Sequence, residues 1–231
     1  MKLRVNEIFK SIQGESTYAG LPCSFIRLTG CNLRCSYCDT TYAFEKGIDM
    51  SIEEILADMG LLGCNLVEIT GGEPLLQEGT GGLVKSLLGE GYKVLVETNG
   101  SLDIDVLPEG TIRIVDVKCP GSGMSERMDW KNMERLRPTD EVKFVLSSQE
   151  DYTWARGIID KYALLDKSKV LMGVAYGKLD PRPLAEWILQ DGLEVRLQLQ
   201  LHRYIWPPGT QEGTLLRGTC RHEKGVSRST P

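Results

Sequence analysis

Two rhythms of apolar positions alternate along this chain. Short runs dense in Val, Ile and Leu have strand character, and longer stretches space their apolar residues at helical intervals. Cys23 to Thr29 reads as a buried strand. Ser51-Ile-Glu-Glu54 has the form of a capping box, and Ile52, Ile55, Leu56 and Met59 then share one helical face. Leu66 to Thr70 is a strand that ends in Gly71-Gly72-Glu73-Pro74, and Leu83, Val84, Leu87 and Leu88 mark the next helix. Strands follow at 92–98, 111–117 and 142–146, a helical pattern at 149–165, a strand at 169–175, a helix at 181–190 and a last strand at 193–201.

Strands alternating with helices imply βα units around a parallel sheet. Only a short linker joins the strands ending at Thr98 and Val117, so at least one helix is missing. The expected fold is α/β, an abbreviated TIM-like barrel rather than eight full units. The candidate motifs sit at the C-terminal ends of strands, where barrels place their chemistry. From Pro207 to Pro231 the chain is polar and aperiodic, which predicts one domain over 1–206 and a loop-like tail over 207–231.

Composition narrows the partners. The chain has 231 residues and a formal net charge of −5. That balance argues against a broad nucleic-acid-binding face, which needs clustered Lys and Arg. No run approaches the ~18 apolar residues of a membrane span. Met1 to Val5 lacks the apolar region of a signal peptide, so a cytoplasmic location is expected.

Seven cysteines are present, and three of them fall in Cys31-Asn-Leu-Arg-Cys35-Ser-Tyr-Cys38. Three thiolates spaced C-x3-C-x2-C suit three irons of a 4Fe–4S cluster and leave the fourth open to a ligand. Zinc would want a fourth Cys or His close by, and an odd cysteine count disfavours a disulfide framework. The spacing resembles the radical S-adenosylmethionine superfamily, in which the open iron takes the amino-carboxylate of S-adenosylmethionine.

Other positions carry two readings each. Gly71-Gly72-Glu73-Pro74 is either a tight turn or a site where backbone and the Glu73 carboxylate meet an ammonium group. Glu97-Thr98-Asn99-Gly100 is either a turn cap or a strand end that binds ribose or carboxylate groups. Asp116 and Lys118, charged at a barrel mouth, point to ligand contact, because burying them unpaired is costly. Ahead of the first expected strand, Gln13 and Glu15 suit the donor–acceptor edge of a pterin or guanine, or else form a solvated turn at Gly14. Arg27 suits a substrate carboxylate or a surface ion pair.

Taken together, Ser11-Ile-Gln-Gly-Glu15, Arg27, the three cysteines, Cys38-Asp39-Thr40, Thr70-Gly-Gly-Glu-Pro74, Glu97-Thr-Asn-Gly100, Asp116-Val-Lys118 and Leu199-Gln-Leu-His202 resemble the 7-carboxy-7-deazaguanine synthase family of queuosine and 7-deazapurine biosynthesis. The resemblance implies ring contraction of 6-carboxy-5,6,7,8-tetrahydropterin, with loss of ammonia, by a radical from S-adenosylmethionine. It implies substrate contacts at Ile12, Gln13, Gly14, Glu15, Arg27, Thr70 and His202. Cofactor contacts follow at Tyr37, Cys38, Asp39, Gly72, Glu73, Glu97, Asn99, Asp116 and Lys118. It further implies a 4Fe–4S cluster on Cys31, Cys35 and Cys38, Mg2+ on Thr40, an electron donor such as flavodoxin or ferredoxin, and a homodimer. A radical activase acting on a protein partner, or a non-catalytic metal-binding module, remains open at this point.

Overall fold

The computed structural model describes residues 1–206 and the strand Thr214–Gly218. The chain starts with a long strand, β1 (Lys2–Ile12), paired antiparallel with β2 (Pro22–Leu28). A short β3 (Ile48–Ser51) returns to pair with the start of β1. Helix α1 (Ile52–Leu62) follows, and its Ser51–Glu54 capping box forms as expected. Then come β4 (Leu66–Gly71), α2 (Thr80–Gly89), β5 (Lys93–Thr98), β6 (Ile112–Val117) and β7 (Glu141–Leu146). Helices α3 (Gln149–Tyr162) and α4 (Leu164–Lys167) precede β8 (Lys169–Val174). The rest is α5 (Pro181–Asp191), β9 (Arg196–Gln198), α6 (Leu201–Ile205) and β10 (Thr214–Gly218).

The strands form one sheet in the order β10-β1-β2-β4-β5-β6-β7-β8-β9, with every pairing from β2 to β9 parallel. No β1–β9 pairing occurs among the described residues, so the curved sheet is a partial barrel. Side chains alternate across it with the two-residue strand period. Val67, Ile69, Val94 and Val96 face Ile55, Met59 and Leu83 of α1 and α2. Val115, Val117, Phe144 and Met172 face Ile159, Leu184 and Ile188 of α3 and α5. On the inner face Phe9, Cys23, Phe25, Leu66, Leu95 and Ile114 make an apolar floor, with the Phe9 and Phe25 rings stacked at 4.9 Å. Fully burying each such side chain stabilises the fold by roughly 1.5–3 kcal/mol. No helix among the described residues is long and apolar enough to cross a membrane.

Several sequence expectations need correction. The segment ahead of the first expected strand is itself β1. Its register shifts between Val5 and Glu7 and again between Ile8 and Phe9, which breaks the alternation that would have revealed it. The expected helix over 149–165 breaks at Ala163, which takes a left-handed φ of 48°. The expected last strand over 193–201 shrinks to Arg196–Gln198, and Leu201–Ile205 turns helical, with the Leu201 N–H donating to Gly14 O (2.9 Å) of the β1–β2 loop. The missing helix after β5 is indeed replaced by a single 3-10 turn at Ile104–Val106, and between β6 and β7 only 3-10 turns occur. Within the segment expected to be loop-like, Thr214–Gly218 forms a strand antiparallel to β1. Cys220 and Pro231 lie outside the described residues.

Candidate active site

At the C-terminal ends of the parallel strands lies a cavity of about 470 Å³. The loop leaving β2 brings Cys31, Cys35 and Cys38 to its wall as half-buried free thiols. Gly30 N–H donates to Ala43 O (2.9 Å), Ser36 N–H to Ser122 O (3.0 Å), and Asn99 Nδ2 lies 3.9 Å from Cys31 Sγ. Gly72 makes the approach of β4 to this loop possible. A Cβ there would stand 2.1 Å from Gly30 O and 2.8 Å from Cys31 Cβ. Burial pushes the Cys35 and Cys38 thiols up, partly offset by the Lys118 ammonium and, for Cys38, by a backbone hydrogen bond from Thr40. Binding iron therefore has to displace those protons.

Among the described residues no three Cys, His, Asp or Glu side chains converge on a single metal ion. A cluster does not ask for that, because each thiolate takes a different iron. Three free thiols on one loop, at one cavity and beside a glycine cradle, fit such a group.

Charged strand ends surround the loop. Lys118 Nζ donates to Asp116 Oδ2 at 2.7 Å. Burial works against the Lys118 charge, yet Asp116 and Cys35 raise its pKa overall. Asp116 Oδ1 is buried without a partner. The Tyr37 hydroxyl donates to Val145 O at 2.9 Å, which fixes the ring in the wall. Thr40 Oγ1 donates to Asp39 Oδ1 (2.8 Å), and Arg203 Nη2 donates to Asp39 Oδ2 (2.7 Å).

Deeper in the cavity, alternation on β2 and β4 aims Arg27 and Thr70 inward at one level and Phe25 and Glu68 at the level below. Arg27 Nε donates to the buried Glu7 (2.8 Å), whose carboxylate also accepts from the Tyr42 hydroxyl (2.9 Å). Burial opposes the guanidinium charge, but Tyr42 and Glu7 beside it raise its pKa overall. Arg27 Nη1 and Nη2 have no partner among the described residues.

Lys143 is 4% exposed and donates to Glu15 (2.8 Å) and to Glu97; Asp116 lies 3.7 Å away. Burial works to raise Glu15, but Lys143 prevails and holds it at about 2. Burial also opposes the Lys143 charge; Glu15, Glu97 and Asp116 overcome it and keep the ammonium protonated. Gln13 Nε2 donates to Glu68, and Gln13 Oε1 accepts from Glu15 N–H (3.0 Å).

A radical SAM superfamily model matches residues 25–117. The 7-carboxy-7-deazaguanine synthase of Koribacter versatilis is 45% identical over 90% of this chain and 99% of its own length. That of Chlorobaculum tepidum is 46% identical over 89% and 95%. The chain belongs to the 7-carboxy-7-deazaguanine synthase family. The fold agrees with the crystal structure of QueE from Escherichia coli, at a TM-score of 0.73 and 24% identity over 87% of this chain and 95% of that one. Streptococcus suis SuiB bound to S-adenosylmethionine matches more loosely, at a TM-score of 0.52 and 13% identity over 74% of this chain and 45% of that one.

Of the site residues that the synthase-family resemblance implies, the cavity gathers all but Glu73. Glu73 is fully buried and accepts from Leu75 N–H (3.0 Å), Thr98 Oγ1 (2.7 Å) and Asn99 N–H (2.6 Å). In this structure its carboxylate ties the end of β5 to the glycine turn and does not line the cavity. His202 lies in the first turn of α6, not on a strand, and its ring closes over Gly14. A Cβ on Gly14 would meet His202 Nδ1 at 2.2 Å.

Among the cavity residues that escaped the sequence reading are two charged strand positions, Glu68 and Lys143. Each is a charge inside an otherwise apolar strand, which is the signal that marks an inward-facing position in a barrel buried on both sides.

Proposed function

We propose that this chain converts 6-carboxy-5,6,7,8-tetrahydropterin to 7-carboxy-7-deazaguanine and ammonia. The cluster would be held by Cys31, Cys35 and Cys38, with S-adenosylmethionine beside Tyr37, Gly72, Asn99, Asp116 and Lys118. One observation carries the reading: a single cavity is lined by both the three thiols and Arg27, whose Nη1 and Nη2 make no hydrogen bond among the described residues. When bound, the reduced cluster and S-adenosylmethionine supply hydrogen-atom abstraction.

The chain's own residues bind and orient. Glu7 fixes Arg27 Nε, so that Nη1 and Nη2 are set for a substrate carboxylate. Thr40 and Asp39 offer oxygen atoms of the kind Mg2+ takes, and the substrate carboxylate and waters would complete its shell. Lys143 neutralises Glu15 and Glu97 and so holds the β1–β2 loop against the sheet. The reading includes an external one-electron donor of the flavodoxin or ferredoxin class, and a homodimer.

The overall change removes one ammonia and is otherwise redox-neutral. The test is anaerobic reconstitution followed by incubation with the carboxy-tetrahydropterin, S-adenosylmethionine and a reductant. A product lighter by one ammonia is expected. Intact substrate, in a sample with full iron and bound S-adenosylmethionine, would overturn the reading.

A further inference from the structure

We infer that Glu68 selects the substrate by its 2-amino-pyrimidine edge, accepting hydrogen bonds from N3–H and the exocyclic amine. The inference rests on the pterin reading above and assigns the recognition of that edge to a residue on β4.

Glu15 was the carboxylate expected there, but its oxygens are taken. Lys143 Nζ (2.8 Å) and Gln198 Nε2 (3.1 Å) reach Oε2, and Gln200 Nε2 (2.8 Å) reaches Oε1. Glu68 is 4% exposed, lines the cavity, and has one oxygen engaged, Oε2, by Gln13. Its Oε1 has no partner among the described residues. Gln13 cannot swap its amide to relieve Glu68, because Glu15 N–H holds its oxygen.

A buried carboxylate with a spare oxygen and no cation of its own is costly, so a ligand with donors is the group that completes it. The neighbouring surface suits a flat ring, since Phe25 sits opposite Glu68 in the β2–β4 register and stacks on Phe9. Arg27 lies two residues further along β2, a rise of about 6.6 Å. That is the scale of a fused bicyclic ring with a carboxylate at one end and an amino-pyrimidine at the other.

Glu68 is packed between Cys23 on β2, Glu97 on β5, Lys143 on β7, and Gln13 and Glu15 of the β1–β2 loop. Burial and the Glu97 charge push its carboxyl up to about 8, against the pull of Gln13 and Lys143. Donors from a ligand favour the ionised form. Binding should therefore release a proton at neutral pH and tighten as pH rises toward about 8.

The probes are 6-carboxypterin and 6-carboxylumazine, which carries a 2-oxo group in place of the 2-amino group. Their affinities are measured anaerobically on the reconstituted protein with S-adenosylmethionine bound. The native chain should prefer the pterin by about tenfold or more, because the lumazine leaves the carboxylate underpaired. Glu68→Gln should abolish the preference and the tightening with pH, with iron content and S-adenosylmethionine affinity unchanged. Glu68→Asp keeps a carboxylate and should keep part of the preference, which serves if Glu68→Gln misfolds. A preference that survives in Glu68→Gln, an equal loss of both probes there, or no preference in the native chain overturns the assignment. Failure of the native chain to bind either probe overturns the pterin reading itself.

Discussion

Removing the Lys143 ammonium isolates the energy that holds the β1–β2 loop over the cavity. Its nitrogen sits 2.8 Å from Glu15 Oε2, and both side chains are largely buried, at 5% and 18% exposure. Glu15 is held at about 2 against an ordinary 4.5. At about 1.4 kcal/mol per pH unit, that gap corresponds to roughly 3 kcal/mol of stability. Stranding a buried charge by deleting its partner costs roughly 3–5 kcal/mol by comparison with other buried pairs, so the two routes agree.

Lys143→Met keeps the bulk and loses the charge. Urea unfolding of reconstituted native, Lys143→Met, Glu15→Gln and doubly substituted proteins at pH 7 forms a double-mutant cycle. The expected coupling is about 2–3 kcal/mol, because Glu97 and Asp116 retain a share of the Lys143 interaction. The sign with pH is also fixed. In the native chain the Glu15 contribution is full above 4.5 and is lost as pH falls toward 2. Without Lys143, burial raises Glu15 against only the weaker pull of the Gln198 and Gln200 hydrogen bonds, so that variant is penalised at neutral pH and recovers as pH falls. The gap between the two should narrow as pH falls from neutral. A coupling under about 0.5 kcal/mol, or a gap independent of pH, would refute the electrostatic account and leave only lost packing.

Cys31→Ala, Cys35→Ala and Cys38→Ala should each abolish cluster assembly, read as iron and sulfide per chain, while Cys220→Ala should not. Arg27→Ala should weaken binding of the pterin by about 1.5–3 kcal/mol and leave S-adenosylmethionine binding intact; equal weakening of both would put Arg27 in the wrong half of the site. Gly72→Ala should lower iron content by forcing β4 away from the cysteine loop, since the added Cβ meets Gly30 O at 2.1 Å. Thr40→Val should erase most of any cooperativity between Mg2+ and substrate without changing iron content, as titrations with and without the ion would show.

Local signals made part of this molecule legible. The Ser51 capping box and the apolar runs of β5 and β6 are set by near neighbours, and their expected bounds fall within a residue or so of those observed. The cysteine loop stands out by its spacing, whereas Gly72, Arg27 and Thr70 stand out with the help of the family resemblance, and all of them line the cavity. What stayed hidden depends on distant partners. Strands covered on both faces do not announce which face is inside, so Glu68 and Lys143 merged into apolar runs. The partner of Lys143 is 128 residues away, on a loop whose neighbouring strand is masked by register shifts. At Glu73 the motif suggests a ligand contact, while the fold supplies the carboxylate with hydrogen bonds from Thr98 and Asn99, which its sequence neighbours do not announce.

The unclosed seam of the barrel sets an order of assembly. The cysteine loop packs on residues no later in the chain than Val145, such as Gly72, Asn99, Ser122 and Val145 itself. The β1–β2 loop instead waits for the end of the described chain. Gly14 O accepts from Leu201 N–H (2.9 Å), and Ser16 N–H donates to Gln198 Oε1 (2.8 Å) across 182 residues. Such long closures are entropically late in folding. During synthesis, a chain complete through β7 has the contacts of the cysteine loop, while the side that would hold the pterin is still missing a wall. An incomplete chain of this design can acquire its metal before it can admit a substrate.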